Sequence, residues 1–193
     1  GNNSWAGVIT LSQATTIATN SGSNLTLSGG ITATNQNLTI DSTGNTIISG
    51  NITTGTGTLT KNGTGNLTLS GSGNTYTGTT TINTGTILIG ATQSIGAIAG
   101  AGSLSLSTGT LTTNSSSSTT FSGVISGTGN LTKAGTGTLT LSGNNTYSGG
   151  STISAGTIEI GSAGRLGGGT YSSNISNSGA LIYSGTSAQA LSG

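Results

Sequence analysis

The sequence predicts an all-β chain wound as a parallel β-solenoid, and three observations carry the prediction. Leu and Ile stand singly between Thr, Ser and Asn, so short runs alternate apolar and polar residues with the period of a strand. Paired apolar positions return after a nearly fixed contour length. Leu67-x-Leu69 is followed by Ile87-x-Ile89 twenty positions on, and Leu139-x-Leu141 by Ile158-x-Ile160 nineteen on. The 37 Gly residues punctuate these runs, there is no Pro, and no window shows a helical period with a cap and a stop. A hairpin strand would return after a loop of about two to five residues. Recurrence after a whole circuit instead implies coils with like side chains stacked in parallel. At roughly 20 to 24 residues per coil the chain makes about eight to nine coils, a rod of about 40 Å at one strand spacing per coil.

In chain order, residues 1–50 hold a degenerate first section: Val8-Ile9-Thr10-Leu11, Thr15-Thr16-Ile17, Leu25-Thr26-Leu27, Leu38-Thr39-Ile40 and Ile47-Ile48, each ended by Gly, Asn or Ser. Ile47 is expected to join the column of core residues that includes Leu25 and Leu27. Two clear repeats follow at 57–90 and 129–161, with Lys61 and Lys133 separated by 72 positions and Tyr76 and Tyr147 by 71. The single deletion between them falls in the turn Ser72-Gly73-Asn74 against Asn144-Asn145, where a loop absorbs it. In Thr138-Leu139-Thr140-Leu141-Ser142 the two Leu face one side and Thr140 the other, so Leu141 belongs inside and Thr140 outside. The pattern continues weakly through Ile175 and Leu181 and ends without a polar cap. The chain opens with Gly1 and contains no Met, so residues 1–193 read as one continuous solenoid segment taken from a longer rod.

Composition excludes several classes of function. Only 3% of residues are charged and the net charge is +1, carried by Lys61, Lys133, Arg165, Asp41 and Glu159. That is too sparse for the basic stripe that nucleic acid or an anionic membrane surface requires. No apolar run reaches the length of a membrane span. With no His, no Cys and two acids far apart, neither a catalytic pair nor a metal or cofactor site is expected, and no site residue is assigned.

The string Gly-x-Leu-Thr-Lys-x-Gly-Thr-Gly-x-Leu-Thr-Leu-Ser-Gly, then Asn-Thr-Tyr-x-Gly, then Ile-x-x-Gly-Thr-Ile-x-Ile-Gly resembles the autotransporter-associated β-strand repeat. It stands at 57–90 and 129–161 and covers about a third of the chain. The resemblance implies a right-handed parallel β-helix within the passenger of a bacterial surface-displayed protein, exported by type V secretion or a related route. It carries no catalytic residues to any position here.

The remaining polar and aromatic residues are expected to be structural. Lys61 and Lys133 follow Leu-Thr at equivalent positions; strict alternation turns them inward, but a solvated corner is the expectation. Glu159 lies between Ile158 and Ile160, hence outward, and Asp41 and Arg165 are single charges without a visible partner. Tyr76 and Tyr147 are expected to fill coil corners rather than bind sugar. Trp5 is expected over the amino-terminal end of the core, and Asn24, Asn66 and Asn130 head Asn-x-Thr triplets that arise from strand composition. Thr58-x-Thr60, Thr110-x-Thr112 and Thr138-x-Thr140 resemble the Thr-x-Thr ladders of ice-binding β-solenoids, in which spaced methyl and hydroxyl groups match an ice plane. These pairs are separated by 52 and 28 positions with Leu104-Ser105-Leu106 between, so constant register is not expected. The function expected is a stalk or coat segment, with adhesion as its context. An ice- or polysaccharide-binding face and end-to-end self-association into filaments are the alternatives.

Overall fold

A computed structural model describes residues 1–192. All strand pairing among the described residues is parallel, and the strands stack into three long sheets along a solenoid of about nine coils, with one further pair, Thr170–Tyr171 with Ala190–Leu191, near the carboxyl-terminal end. Sheet I has seven strands, from Asn2–Trp5 to Ile125–Ser126. Sheet II is built in two blocks: the three strands Ile9–Leu11, Ile31–Ala33 and Ile52–Thr53, and a five-stranded block from Gln93–Ile95 to Ile175–Asn177. Between them the segment 74–77 bridges the gap, with the Thr75 N–H donating to Ile52 O at 3.0 Å. Sheet III is the longest, with nine strands in unbroken order from Thr15–Ile17 to Ala180–Tyr183. Register steps between neighbouring coils run from 17 residues (Thr86 to Ser103) to 24 (Ser151 to Ile175).

Alternation within each strand decides which side chains enter the core. In 138–141 the burial pattern places Leu139 and Leu141 inside, and Ile158 and Ile160 stack directly upon them. Leu67 and Leu69 stack in the same way on Ile87 and Ile89. One coil cannot shield such a pair from water, so the stability resides in the contacts between coils. A buried Leu or Ile is worth roughly 1.5–3 kcal/mol.

One apolar position differs from the sequence expectation. Ile48, not Ile47, pairs with Leu27 and Leu69 in the core of sheet I, while Ile47 faces outward. The inward neighbour is Thr46, which stands in the column of Leu25 and Leu67. Its hydroxyl shares 3.0 Å hydrogen bonds with those of Ser42 and Thr19, so the buried polar group is satisfied. The density of β-branched residues in Asn45–Ile48 hid the register: Thr46 and Ile47 are equally suited to a strand.

Corners are closed by glycine where two coils touch through backbone alone. A Cβ added at Gly123 would lie 1.7 Å from Gly102 O, and one at Gly143 would lie 1.9 Å from Gly123 O. Gly102, Gly123 and Gly143 thus form a vertical column into which no side chain fits.

Candidate functional site

The two repeats place their most distinctive residues at a corner. In each, an Asn two residues before the Tyr is buried and serves as a bracket between coils. Asn74 Oδ1 accepts from the Ile52 N–H at 2.6 Å and its Nδ2 donates to Gly71 O at 3.0 Å. Asn145 Oδ1 accepts from the Ile125 N–H at 3.0 Å and its Nδ2 donates to Gly143 O at 2.9 Å. Here no strand continues the ladder of the preceding coil, and the amide side chain supplies the missing acceptor. Gln93 extends the first bracket by accepting from Asn74 Nδ2 and donating to Gly71 O at 2.7 Å.

Tyr76 and Tyr147 fill these corners, as expected. Both are fully buried, and each shares a hydrogen bond with the residue four positions on: Thr80 at 2.8 Å and Ser151 at 2.6 Å. Tyr171 closes a third corner against Tyr147, ring to ring edgewise at 5.6 Å, with its hydroxyl on the Ser151 hydroxyl at 2.8 Å. A ring enclosed on all sides stacks on no ligand.

Lys61 and Lys133 overturn the expectation of solvated corners. Their exposures are 0% and 2%, and alternation holds through them: Lys61 pairs between Ile40 and Ile82, and Lys133 beside Ile153. The corner itself explains how an ammonium is tolerated there. Lys61 Nζ donates to Gly63 O at 2.7 Å and to Asn62 O, and Lys133 Nζ donates to Gly135 O. The methylenes fill core volume while the charge meets carbonyls that the turn points inward. Asp41, in register with Asn62, contributes a negative charge near Lys61 and so is not without an electrostatic neighbour.

Burial lowers the pKa of Lys61, against the opposing pull of Asp41, and burial lowers that of Lys133. Burial raises the pKa of Tyr76, Tyr147 and Tyr171. The consequences for stability have opposite signs. A lysine below its ordinary 10.5 makes the unfolded chain hold more protons than the folded one, so stability rises with pH toward 10.5. A tyrosine above its ordinary 10.0 stays neutral when the unfolded chain begins to ionise, so stability falls above pH 10. Thermal circular dichroism is expected to show a melting temperature that climbs on the approach to pH 10 and turns down above it. In the double variant Lys61→Met and Lys133→Met the climb disappears and the fall remains.

The other charges behave as read. Glu159 faces outward and accepts from Thr140 Oγ1 at 3.2 Å and from Ser184 Oγ at 2.5 Å, which makes it a surface bracket between three coils. Trp5 holds the inward register over Leu27 in the first coil, 56% exposed itself while Leu27 beneath it is buried. Asn24 joins Asn2 and Asn45 in an amide ladder on sheet I, with bonds of 2.7 and 3.0 Å. Among the described residues no three His, Cys, Asp or Glu side chains come together, and no helix is long and apolar enough to cross a membrane.

The geometry is that of a repeat solenoid whose distinctive residues all work inside the wall. The family model of the passenger-associated transport repeat matches residues 59–89 and 131–160, about a third of the chain. Two such repeats in a parallel β-solenoid are consistent with an autotransporter passenger repeat protein. Neither the curated proteins nor the solved structures gave a match.

The two matched segments do not occupy equivalent places around the axis. Lys61 and Ile82 of the first lie on sheet III, but Lys133 and Ile153 of the second lie on sheet II. Likewise Leu67 and Ile87 are on sheet I, whereas Leu139 and Ile158 are on sheet III. The separation of 72 residues therefore spans about three and two-thirds coils, and each outward residue of one copy points in a different direction from its counterpart.

Proposed function

We propose that this solenoid is a non-enzymatic stalk or coat segment of a bacterial surface-displayed or secreted protein, holding other parts of that protein away from the cell, with adhesion as the context. The observation that carries the reading is the rotation of the repeat. A repeat that served a ligand would return the same outward residues to the same face, whereas this one returns Leu, Ile, Tyr, Asn and Lys to the wall and changes face. The aromatic rings of the repeats and their neighbours, Tyr76, Tyr147, Tyr171 and Phe121, are inside, and the exposed rings, Trp5 and Tyr183, lie in the first coil and the last strand of sheet III rather than in a repeated array. The sparse charge leaves an exterior of Ser, Thr and Asn suited to staying solvated without attracting partners.

Small-angle scattering with light scattering tests the reading. The isolated chain is expected to be a monomer at every concentration, with a long axis of about 40 Å from nine strand spacings of about 4.8 Å. Growth of the particle with concentration would contradict a stalk and favour a filament subunit.

A further inference from the structure

Sheet III carries outward threonines in constant register, contrary to the expectation from spacing alone. Thr16, Thr39, Thr60 and Thr81 stand on four successive coils, Ala99 on the fifth, and Thr120 and Thr140 on the next two. The same register places a second column two residues earlier, Asn37, Thr58, Thr79, Ser118 and Thr138, interrupted on one coil where Ala97 is buried. Thr110-x-Thr112 is not part of it, because Thr112 lies on sheet II between Ser94 and Thr132. Threonine on an outward strand position is ordinary, and sheet II has a column of its own. There, however, the flanking column mixes Asn130 and Asn174 with Gly150, which makes that surface uneven. Sheet III pairs Thr58 with Thr60 and Thr79 with Thr81 on consecutive coils, and beyond the coil of Ala97 and Ala99 it pairs Ser118 with Thr120 and Thr138 with Thr140.

Three properties narrow what such an array can meet. It is a lattice, repeating at about 4.8 Å along the axis and about 6.6 Å across, so a partner touching every step must repeat as well. It is rigid, since β-branched side chains on a continuous parallel sheet have restricted χ1 and lose little freedom on contact. It is uncharged through the seven coils in these two columns, and most of its hydroxyls are free, the exceptions being Thr140, which donates to Glu159, and Ser118, which accepts from the Thr138 N–H. Among the described residues Thr39, Thr58, Thr60, Thr79, Thr81 and Thr120 make no side-chain hydrogen bond within the protein, whereas the corner threonines Thr77, Thr84 and Thr128 each donate to a carbonyl of the coil before. We propose that sheet III is an ice-binding face, in which the two columns present methyl and hydroxyl groups to the water lattice of an ice plane. This reading goes beyond the stalk role and does not depend on it.

The test uses the 193-residue chain, its folding confirmed by circular dichroism, in an ice-affinity experiment with a fluorescent label and in a thermal-hysteresis measurement. The wild type is expected to be incorporated into a growing ice hemisphere and to show hysteresis. Thr81→Tyr with Thr120→Tyr keeps strand-forming residues but breaks the plane, so incorporation and hysteresis are expected to be lost. Thr112→Tyr with Thr132→Tyr on sheet II is expected to retain both. Exclusion of the folded wild type from ice overturns the proposal without reference to any variant. Equal retention or equal loss in the two double variants overturns it too, as does binding to crystalline chitin or cellulose in the absence of ice binding.

Discussion

Leu141→Asp is expected to lower the melting temperature more than any outward substitution. The side chain is fully buried, paired in register with Phe121 below and Ile160 above. Truncation to Ala at such a position costs about 2–5 kcal/mol. A carboxylate there adds the cost of desolvating a charge among apolar neighbours. The matched outward change is Thr120→Asp, since Thr120 is exposed and its hydroxyl is unbonded, whereas Thr140 already donates to Glu159. That variant is expected to stay within about 0.5 kcal/mol of the wild type. Thermal circular dichroism of the pair reads the facing of the strands, and equal losses would contradict the inward and outward assignments.

Gly123→Ala carries the second large effect, through the backbone rather than the core. Its Cβ would fall 1.7 Å from Gly102 O, an overlap that no rotamer relieves, so the two coils must separate at that corner. Loss of the neighbouring ladder bonds follows, and the chain is expected to melt at much lower temperature. Gly150 supplies the contrast. A Cβ there would meet Asn174 O at 3.5 Å and Asn130 Oδ1 at 3.6 Å, ordinary contacts, and its φ is not positive. Gly150→Ala is therefore expected to be neutral or to stabilise by about 0.4–1 kcal/mol through the unfolded chain. Urea midpoints for the two variants check this, and a similar loss in both would show that corner glycines are not set by contact between coils.

The solenoid itself was legible because Leu-x-Leu and Ile-x-Ile pairs return once per circuit, and the structure stacks those very pairs. The Tyr corners were legible for the same reason, since Asn-Thr-Tyr recurs with its flanks. Lys61 and Lys133 were misread because the general preference of ammonium for water was set against alternation, and alternation is the stronger constraint inside a continuous strand. What lay beyond the sequence was the set of carbonyls, Asn62, Gly63 and Gly135, that the turn aims at each ammonium. The threonine register was hidden by the unequal coils. Thr58-x-Thr60 and Thr138-x-Thr140 share sheet III only because unequal coils of 21, 18, 21 and 20 residues sum to the same face, and nothing in the spacing of two pairs reveals that. The rotation of the repeat by part of a coil was concealed in the same way.

The stacking of coils is tested most directly by disulfide formation between single-residue steps of one ladder, in a chain that has no Cys of its own. Thr60 and Thr81 are register partners on adjacent coils of sheet III, 21 residues apart in sequence. Thr68 is only eight residues from Thr60 but belongs to sheet I. Under mild oxidation Thr60→Cys with Thr81→Cys is expected to cross-link in nearly every molecule, because neighbouring strands bring Cα atoms within the roughly 4.4–6.8 Å that a disulfide spans. Thr60→Cys with Thr68→Cys is expected to remain reduced. Efficient cross-linking of the second pair, or none of the first, would contradict the parallel solenoid.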